Sequence, residues 1–170
     1  MSGLASQPAV PAHGLTHVAP DGTAQMVDVS GKPEQLRFAA AAGRIDLQGA
    51  TMRLIESNGI AKGNVLATAR LAGIMAAKRT SELIPLCHTL LLQHVDVAFE
   101  PDAAGIAIRS EVRTVGRTGA EMEALTAVSI AALTIYDMCK AVDKTMQVNG
   151  VVLLDKTKTD LSTAASDARA

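Results

Sequence analysis

The motif Lys62-Gly63-Asn64 directly precedes a stretch with helical periodicity. The first turn of a helix carries unpaired N–H groups and a partial positive charge, so a lysine beside it favours binding of an anion. In the alternative, Asn64 is only the N-cap of the helix and Lys62 is a solvated surface residue. These residues alone favour the capping alternative.

A second candidate is Leu86-Cys87-His88, which follows Pro85 at the end of the same helical stretch. A histidine in such a loop can orient a base or a ribose, although a partly buried, structurally satisfied histidine is the commoner case. Cys87 is expected to be a small core residue rather than a nucleophile, since nothing nearby in the sequence would lower the pKa of its thiol.

The third candidate is the polar start of a long apolar helix predicted over residues 119–142. Arg113 and Arg117 precede this helix and suit the capture of a phosphate or carboxylate. Glu121 lies near the start of this helix, and Glu123 lies at the next turn. As a structural alternative, Glu121 completes the capping box T-x-x-E and Glu123 complements the helix dipole.

The far end of this helix carries Asp137 and Lys140, whose i,i+3 spacing also fits a weak surface ion pair. Met122 and Lys140 point the same way, yet at 1.5 Å per residue they lie roughly 27 Å apart along the axis. One small ligand cannot reach both ends within one chain. If both ends are functional, an antiparallel neighbour must supply the second end, which predicts an oligomer with shared sites.

The elements that position these motifs alternate between the periodicity of strands and that of helices. An antiparallel sheet covered on one side by helices, an α+β fold, is therefore predicted. The predicted strands cover residues 26–29, 36–47, 95–99, 106–114 and 148–154, and the predicted helices cover residues 49–57, 64–83 and 119–142.

Composition limits the classes of function. The chain has 170 residues, 48% of them hydrophobic, which fits one folded domain. Aromatic residues are only 2% and alanine is abundant, so close helix packing and further burial between subunits are expected. The net charge of −1 and the lack of aromatic platforms argue against nucleic-acid binding.

Cellular location and domain limits follow from the same composition. Two cysteines provide no disulfide framework, and no secretory signal or bilayer-length apolar run stands out, so a cytoplasmic protein outside the membrane is expected. Residues 1–14 are predicted to be a flexible arm, residues 15–156 a single catalytic domain, and residues 157–170 a flexible tail.

Several common motifs are missing from the sequence. It contains no phosphate-binding G-x-x-x-x-G-K-[ST] loop, no G-x-G-x-x-G after a strand and no G-x-S-x-G elbow. The adjacent Cys87-His88 lacks the spacing of a zinc site, so no metal is expected.

Long blocks of the chain, residues 15–37, 62–88 and 113–144, closely resemble the cyclic pyranopterin monophosphate synthase family, accessory protein C of molybdenum cofactor biosynthesis. The resemblance implies a lyase that needs no metal or organic cofactor. Its substrate would be 3′,8-cyclo-7,8-dihydroguanosine 5′-triphosphate, made by a radical GTP cyclase, and its products cyclic pyranopterin monophosphate and pyrophosphate. It also implies a ferredoxin-like fold and a homohexamer, a trimer of dimers with sites between subunits.

The resemblance also assigns roles to individual residues. Lysines act as acids or bases near neutral pH only when their pKa falls, so the family's catalytic lysines predict such tuned groups here. Carried over by position, the catalytic residues are Asp137, Lys62 and Lys140, and the substrate-binding residues are Leu86, Cys87, His88, Met122, Glu123, Glu121, Arg37 and Lys156.

Three departures from the family pattern stand out. Asn64 and Thr89 replace an aspartate and a proline, and Thr157-Lys158-Thr159-Asp160-Leu161 replaces a Gly-Gly-Lys-Ser-Gly loop. The loop change predicts reduced affinity or turnover, with Lys158 as a substitute for the missing lysine. The alternative function is a catalytically impaired oligomer that binds a purine or pterin nucleotide without turnover.

Overall fold

The computed structural model describes residues 21–163. In chain order the elements are β1 (Gln35–Asp46), α1 (Gly49–Glu56), α2 (Val65–Lys78), α3 (Thr80–Leu83), β2 (Leu92–Asp102), β3 (Gly105–Gly116), α4 (Glu121–Cys139) and β4 (Gln147–Asp160).

The strands form one four-stranded antiparallel sheet in the order β2-β3-β1-β4. Along β3, buried Ile106, Ile108 and Val112 alternate with more exposed residues, so one face of the sheet carries the core. On that face Ser110 donates a hydrogen bond to the Ala124 carbonyl of α4 at 2.8 Å. The predicted α+β class, with helices packed on an antiparallel sheet, is confirmed.

Small residues let the helices approach closely. A Cβ atom at Gly73 of α2 would lie 2.9 Å from the Ala127 carbonyl of α4, and one at Gly43 of β1 would lie 2.6 Å from a methyl of Val128. Both distances are too short for any side chain, so larger residues would push the layers apart. The abundance of alanine and glycine therefore reflects short distances between layers.

By length and composition, helix α4 is long and apolar enough to cross a membrane. A little over half of its apolar stretch is buried within the fold. In this helix, Ala127, Ala131 and Ile135 are completely shielded from solvent. The apolar composition of α4 is explained by its place as the core helix between α2 and the sheet.

Residues 26–29 were predicted as a strand, and this prediction is wrong. Among residues 21–163 the segment has no ladder partner, and Asp28 instead accepts hydrogen bonds from the backbone N–H and the hydroxyl of Ser30 at 2.8 and 2.6 Å. Aspartate and serine side chains compete with strand pairing through such local turns. The backbone N–H of Lys32 then closes on the Val29 carbonyl at 3.0 Å.

The helix predicted over residues 64–83 is divided at Arg79 into α2 and α3. The Thr80 hydroxyl donates to the carbonyls of Ala76 and Ala77, and the N–H of Arg79 bonds to Ala76. A threonine hydroxyl that bonds back to the preceding turn competes with the regular ladder, which explains the break.

The predicted tail over residues 157–170 is also corrected, because β4 runs to Asp160. Lys158 pairs with Arg37 and Asp160 with Gln35 in the register with β1, and the Gln35 side chain donates to Asp160 at 2.8 Å. Residues 157–160 are all polar, so this end of β4 has no hydrophobic alternation to reveal it. Residues 164–170, and the arm predicted over residues 1–14, lie outside the described residues.

Candidate active site

A cavity of about 380 Å³ lies at the N-terminal end of α4. Two separate stretches of the sequence meet around it, one in the loop after α3 and one in the first turn of α4. The predicted substrate-binding residues on its wall are Leu86, Cys87, His88, Glu121, Met122 and Glu123.

One wall of this cavity belongs to the segment before β1 and was missed by the search for motifs. Val27, Val29 and Lys32 line the cavity. His88 Nε2 lies 2.8 Å from the Val27 carbonyl oxygen, which can only accept, so Nε2 carries the proton in the neutral ring. The signal available in the sequence was the block of residues 15–37, which matches the family but has no regular periodicity.

Glu123 is the buried carboxyl group of the cavity, with only 4% of its surface exposed. Burial raises its pKa to about 7, and the neighbouring Glu121 carboxylate contributes in the same direction. Burial also raises the pKa of the Cys87 thiol, with a further contribution from Glu123. A thiol that stays protonated is a poor nucleophile, which agrees with the expectation for Cys87.

Glu121 has the opposite electrostatic environment, two residues away. Burial opposes the ionisation of Glu121. Lys156 Nζ at 2.9 Å, the Glu121 backbone N–H and the Arg37 charge together outweigh burial and hold the pKa of Glu121 below its usual value. The capping-box alternative for Glu121 is wrong, because the N-cap of α4 is Ala120 and its side chain forms no capping hydrogen bond. Glu121 is turned toward Lys156 instead.

A second cavity of about 320 Å³ adjoins the first and shares Gly119 and Glu121 with it. Its cations are Arg37 from β1 and Lys156 and Lys158 from the neighbouring edge strand β4. The Arg37 guanidinium donates hydrogen bonds to the backbone carbonyls of Gly116 and Arg117, at 3.4 and 3.3 Å. Lys158, the expected substitute for the family's loop lysine, lies beside Lys156 in this cavity.

The two arginines expected to capture an anion are not brought together. The Arg113 guanidinium lies over the Phe38 ring, 5.8 Å from its centroid, and its backbone pairs with Phe38 across the sheet. Arg117 lines a third cavity beside His88 and Glu34. Arg113 and Arg117 are four residues apart on extended backbone, about 13 Å at roughly 3.3 Å per residue, and β3 ends between them at Gly116.

Asp137, Lys62 and Lys140 meet at the C-terminal end of α4. Asp137 Oδ2 lies 2.7 Å from Lys62 Nζ, and Asp137 Oδ1 lies 2.6 Å from Lys140 Nζ. Lys62 Nζ also donates to the Asp137 backbone carbonyl at 2.9 Å. These contacts bring together the three predicted catalytic residues, which the sequence separates by up to 78 positions (140 minus 62).

The electrostatics of this cluster correct one expectation. Hydrogen bonds from Lys140 and Lys62 lower the pKa of Asp137 to about 2, and the same contact raises the pKa of Lys140. The predicted catalytic chemistry needs a lowered lysine pKa, and in the isolated chain Lys140 shifts the other way. Opposite charges stabilise the charged form of each partner, and about half of each side chain is exposed.

The loops around this cluster are fixed by two further side chains. Asn64 is the N-cap of α2 and accepts from the Ala67 N–H at 2.9 Å, so the capping alternative for Asn64 is confirmed. Buried Asp143 accepts from the Gln48 N–H at 2.8 Å and from the Thr145 N–H at 2.9 Å. It thereby joins the start of α1 to the loop after α4. Sequence reasoning missed Asp143.

The cavity and the Asp137 cluster lie at opposite ends of α4. Met122 and Asp137 are fifteen positions apart, which is about 22 Å along a helix axis. Within residues 21–163, no group of His, Cys, Asp and Glu side chains is arranged to hold a metal ion. The fold and these two sites define an α+β protein with a built small-molecule cavity and a separate lysine–aspartate cluster.

Comparison with known proteins supplies the family. The MoaC family matches residues 26–159, and the chain belongs to that family. A protein named cyclic pyranopterin monophosphate synthase from Chloroflexus aggregans is 62% identical over 144 residues, 84% of this chain and 87% of its own length. Proteins of the same name from Methylobacterium sp. (strain 4-46) and Roseiflexus castenholzii are 59% and 55% identical, covering 84% of this chain and 90% and 91% of their own lengths.

Proposed function

We propose that this chain converts 3′,8-cyclo-7,8-dihydroguanosine 5′-triphosphate to cyclic pyranopterin monophosphate and releases pyrophosphate. It would act in molybdenum cofactor biosynthesis, as a cytoplasmic phosphorus–oxygen lyase that follows the radical GTP cyclase. The observation that carries the proposal is the meeting of residues 86–88 and 121–123 around one cavity beside a second cavity lined by cations.

The two adjoining cavities suit the two chemical parts of this substrate. The first is lined mainly by apolar side chains and suits the base-derived rings. The second presents Arg37, Lys156 and Lys158, which suit the triphosphate. Fixed cations there would stabilise the charge that builds on pyrophosphate as it leaves. Gly119 and Glu121, shared by both cavities, lie where the base part and the phosphate part would join.

The distance along α4 between the cavity and the Asp137 cluster supports an assembly of several chains. A ligand in the cavity cannot reach Asp137 of the same chain over about 22 Å, so a neighbouring subunit is proposed to supply the Lys62–Asp137–Lys140 cluster. The proposed assembly is a homohexamer, a trimer of dimers with sites between subunits. The βαββαβ order with β1 between β3 and β4 supports a ferredoxin-like subunit.

Exposed apolar residues support burial between subunits. Strand β4 is an edge strand, and edge strands with exposed apolar side chains tend to pair with another chain. The exposed apolar side chains on β4 are Val148, Val151, Val152 and Leu154, and others lie on the helices at Leu71, Met75 and Leu133.

The proposed catalytic residues keep the roles given by the resemblance, with one refinement. Lys62 and Lys140 transfer protons, and Asp137 positions Lys140. Since the contact with Asp137 raises the pKa of Lys140, this lysine enters the reaction charged, as a proton donor. A second cation brought close by the triphosphate site of the neighbour would lower that pKa and let the lysine give up its proton.

The experiment supplies the purified protein with the cyclised guanosine triphosphate and measures pyrophosphate and the pterin product together. Equal amounts of both over many turnovers establish the proposed reaction. Thermal stabilisation by the substrate with neither product would support the alternative of a nucleotide-binding oligomer without activity. Equal amounts would also show that the Thr157–Leu161 sequence replaces the family's glycine loop without loss of the reaction.

A further inference from the structure

Glu123 is a buried carboxyl group to which the proposed lysine chemistry gives no proton-transfer role. It lines the cavity with only 4% of its surface exposed, and no ion pair to it is formed within residues 21–163. Glu121, two residues earlier, is paired with Lys156. When the surroundings of two neighbouring carboxyl groups drive their protonation apart, the two take different roles in acid–base chemistry.

We propose that Glu123 is the general acid that protonates the ring nitrogen released when the five-membered ring of the substrate's base opens. This inference rests on the proposed function and assigns a further catalytic residue to it. In the step, the bond from that nitrogen to the ring carbon breaks and its electron pair stays on the nitrogen. The O–H bond of Glu123 breaks and an N–H bond forms. The lone pair of the second nitrogen on that carbon forms a C=N bond, which leaves an iminium cation. The Glu123 carboxylate then takes up a proton from bulk solvent, and this proton accounts for the positive charge of the cation.

The position of Glu123 agrees with this role. The first turn of a helix stabilises negative charge, which would favour the carboxylate. Burial outweighs that effect here, because the pKa of Glu123 is raised to about 7. Near neutral pH the group is therefore protonated in a useful fraction of molecules and accepts a proton back readily.

The other titratable groups on the cavity wall come from each of the packed segments. Glu121 belongs to α4 itself, Cys87 and His88 to the loop after α3, and Lys32 to the segment before β1. Glu121 is held ionised by Lys156, and burial keeps the Cys87 thiol protonated. His88 is held by the Val27 carbonyl. Glu123 is therefore the carboxyl group on this wall that can donate a proton.

The first test measures protonation in the ligand-free oligomer. Infrared spectra of protein with isotope-labelled glutamate are recorded from pH 5 to pH 9 for the natural chain and for Glu123→Gln. A carboxylic acid band that is present near pH 6, lost toward pH 9 and missing in Glu123→Gln is expected. An ionised Glu123 at pH 6 would overturn the inference, whatever the activity.

The second test measures kcat/KM for the cyclised guanosine triphosphate across the same pH range. In the natural chain kcat/KM is expected to fall as pH rises past the Glu123 pKa. Glu123→Gln is expected to lose about 10²–10⁴-fold in kcat and to lose this pH dependence. His88→Gln serves as the matched control, because it removes the imidazole from the same wall, and it is expected to keep the pH dependence whatever its kcat. A fall with pH that persists in Glu123→Gln refutes the inference, whereas a natural chain that forms no product refutes the proposed function itself.

Discussion

Each end of α4 carries a carboxyl group, and the surroundings of the two groups shift their pKa values in opposite directions. At the N-terminal end, Glu123 is buried, forms no ion pair with the other residues that the structure describes, and its pKa rises to about 7. At the C-terminal end, Asp137 is half exposed between Lys62 and Lys140, and its pKa falls to about 2. The chemistry of a carboxyl group here is set by burial and by neighbours, and its residue type says little.

This comparison suggests a division of labour. The N-terminal end provides a shaped cavity and a carboxyl group that exchanges protons near neutral pH. The C-terminal end provides charged lysines held by a permanently ionised aspartate. Because one small ligand cannot span the length of α4, the proposed site takes its cavity from one chain and its lysine cluster from another.

The largest expected effect is the loss of kcat when a lysine of the Asp137 cluster is replaced. Lys140→Ala is expected to lower kcat by about 10²–10⁴-fold, since a positioned proton donor contributes about that much. The melting temperature is expected to stay unchanged, because the side chain is more than half exposed. Lys144→Ala, at an exposed lysine in the loop after α4, is the matched control. Full turnover by Lys140→Ala would remove Lys140 from the catalytic residues.

The next test separates one chain from two. Lys140→Ala subunits and Glu123→Gln subunits are each expected to be nearly inactive, and they are co-expressed to form mixed dimers. One of the two sites in each mixed dimer then combines an intact cavity with an intact cluster. Because random pairing makes about half of the dimers mixed, about a quarter of natural activity is expected to return. Activity that stays at the sum of the two parents would mean that both ends act within one chain.

The two carboxyl groups are also expected to differ in how stability depends on pH. The native pKa of Glu123 is raised, so the native state binds more protons and the free energy of unfolding falls as pH rises from about 4.5 to about 7. The loss is on the order of 1–3 kcal/mol. Urea unfolding at fixed protein concentration measures it, and Glu123→Gln should remove this part of the slope.

Asp137→Asn is the control for that measurement. With a pKa of about 2, Asp137 stays ionised from pH 5 to pH 8 and adds no slope there. If Glu123→Gln keeps the natural slope, or if Asp137→Asn changes it, the contrast between the two ends of α4 is wrong.

The smallest effect concerns the triphosphate side of the cavity. Lys158→Ala is expected to raise KM about three- to tenfold with little change in kcat, because an exposed cation that contacts a phosphate contributes on the order of 1 kcal/mol. Lys144→Ala is again the matched control. An unchanged KM would mean that Lys158 does not replace the lysine of the family's glycine loop.

Much of the fold was predictable because its signals are local. The hairpin of β2 and β3 shows alternation around a Pro-Asp-Ala-Ala-Gly turn, and α4 shows one long apolar pattern. The errors fell where polar side chains choose between partners. Asp28 bonds to Ser30 rather than leaving the segment to pair as a strand, and Glu121 bonds to Lys156 rather than capping α4. Such choices depend on atoms that are distant in the sequence or on turns that periodicity does not detect.

The sequence by itself determined the fold class, the family and the identity of nearly every polar residue at the two ends of α4. These are properties of residue order, because helix and strand periodicity and long matching blocks are written along the chain. Only the tertiary structure decided which groups meet and in which charge state. In the folded chain Lys32 lines the first cavity and Lys158 lines the second beside Lys156. The contact with Asp137 raises the pKa of Lys140. Burial and charge proximity arise from packing in three dimensions, and they fix the pKa of each group.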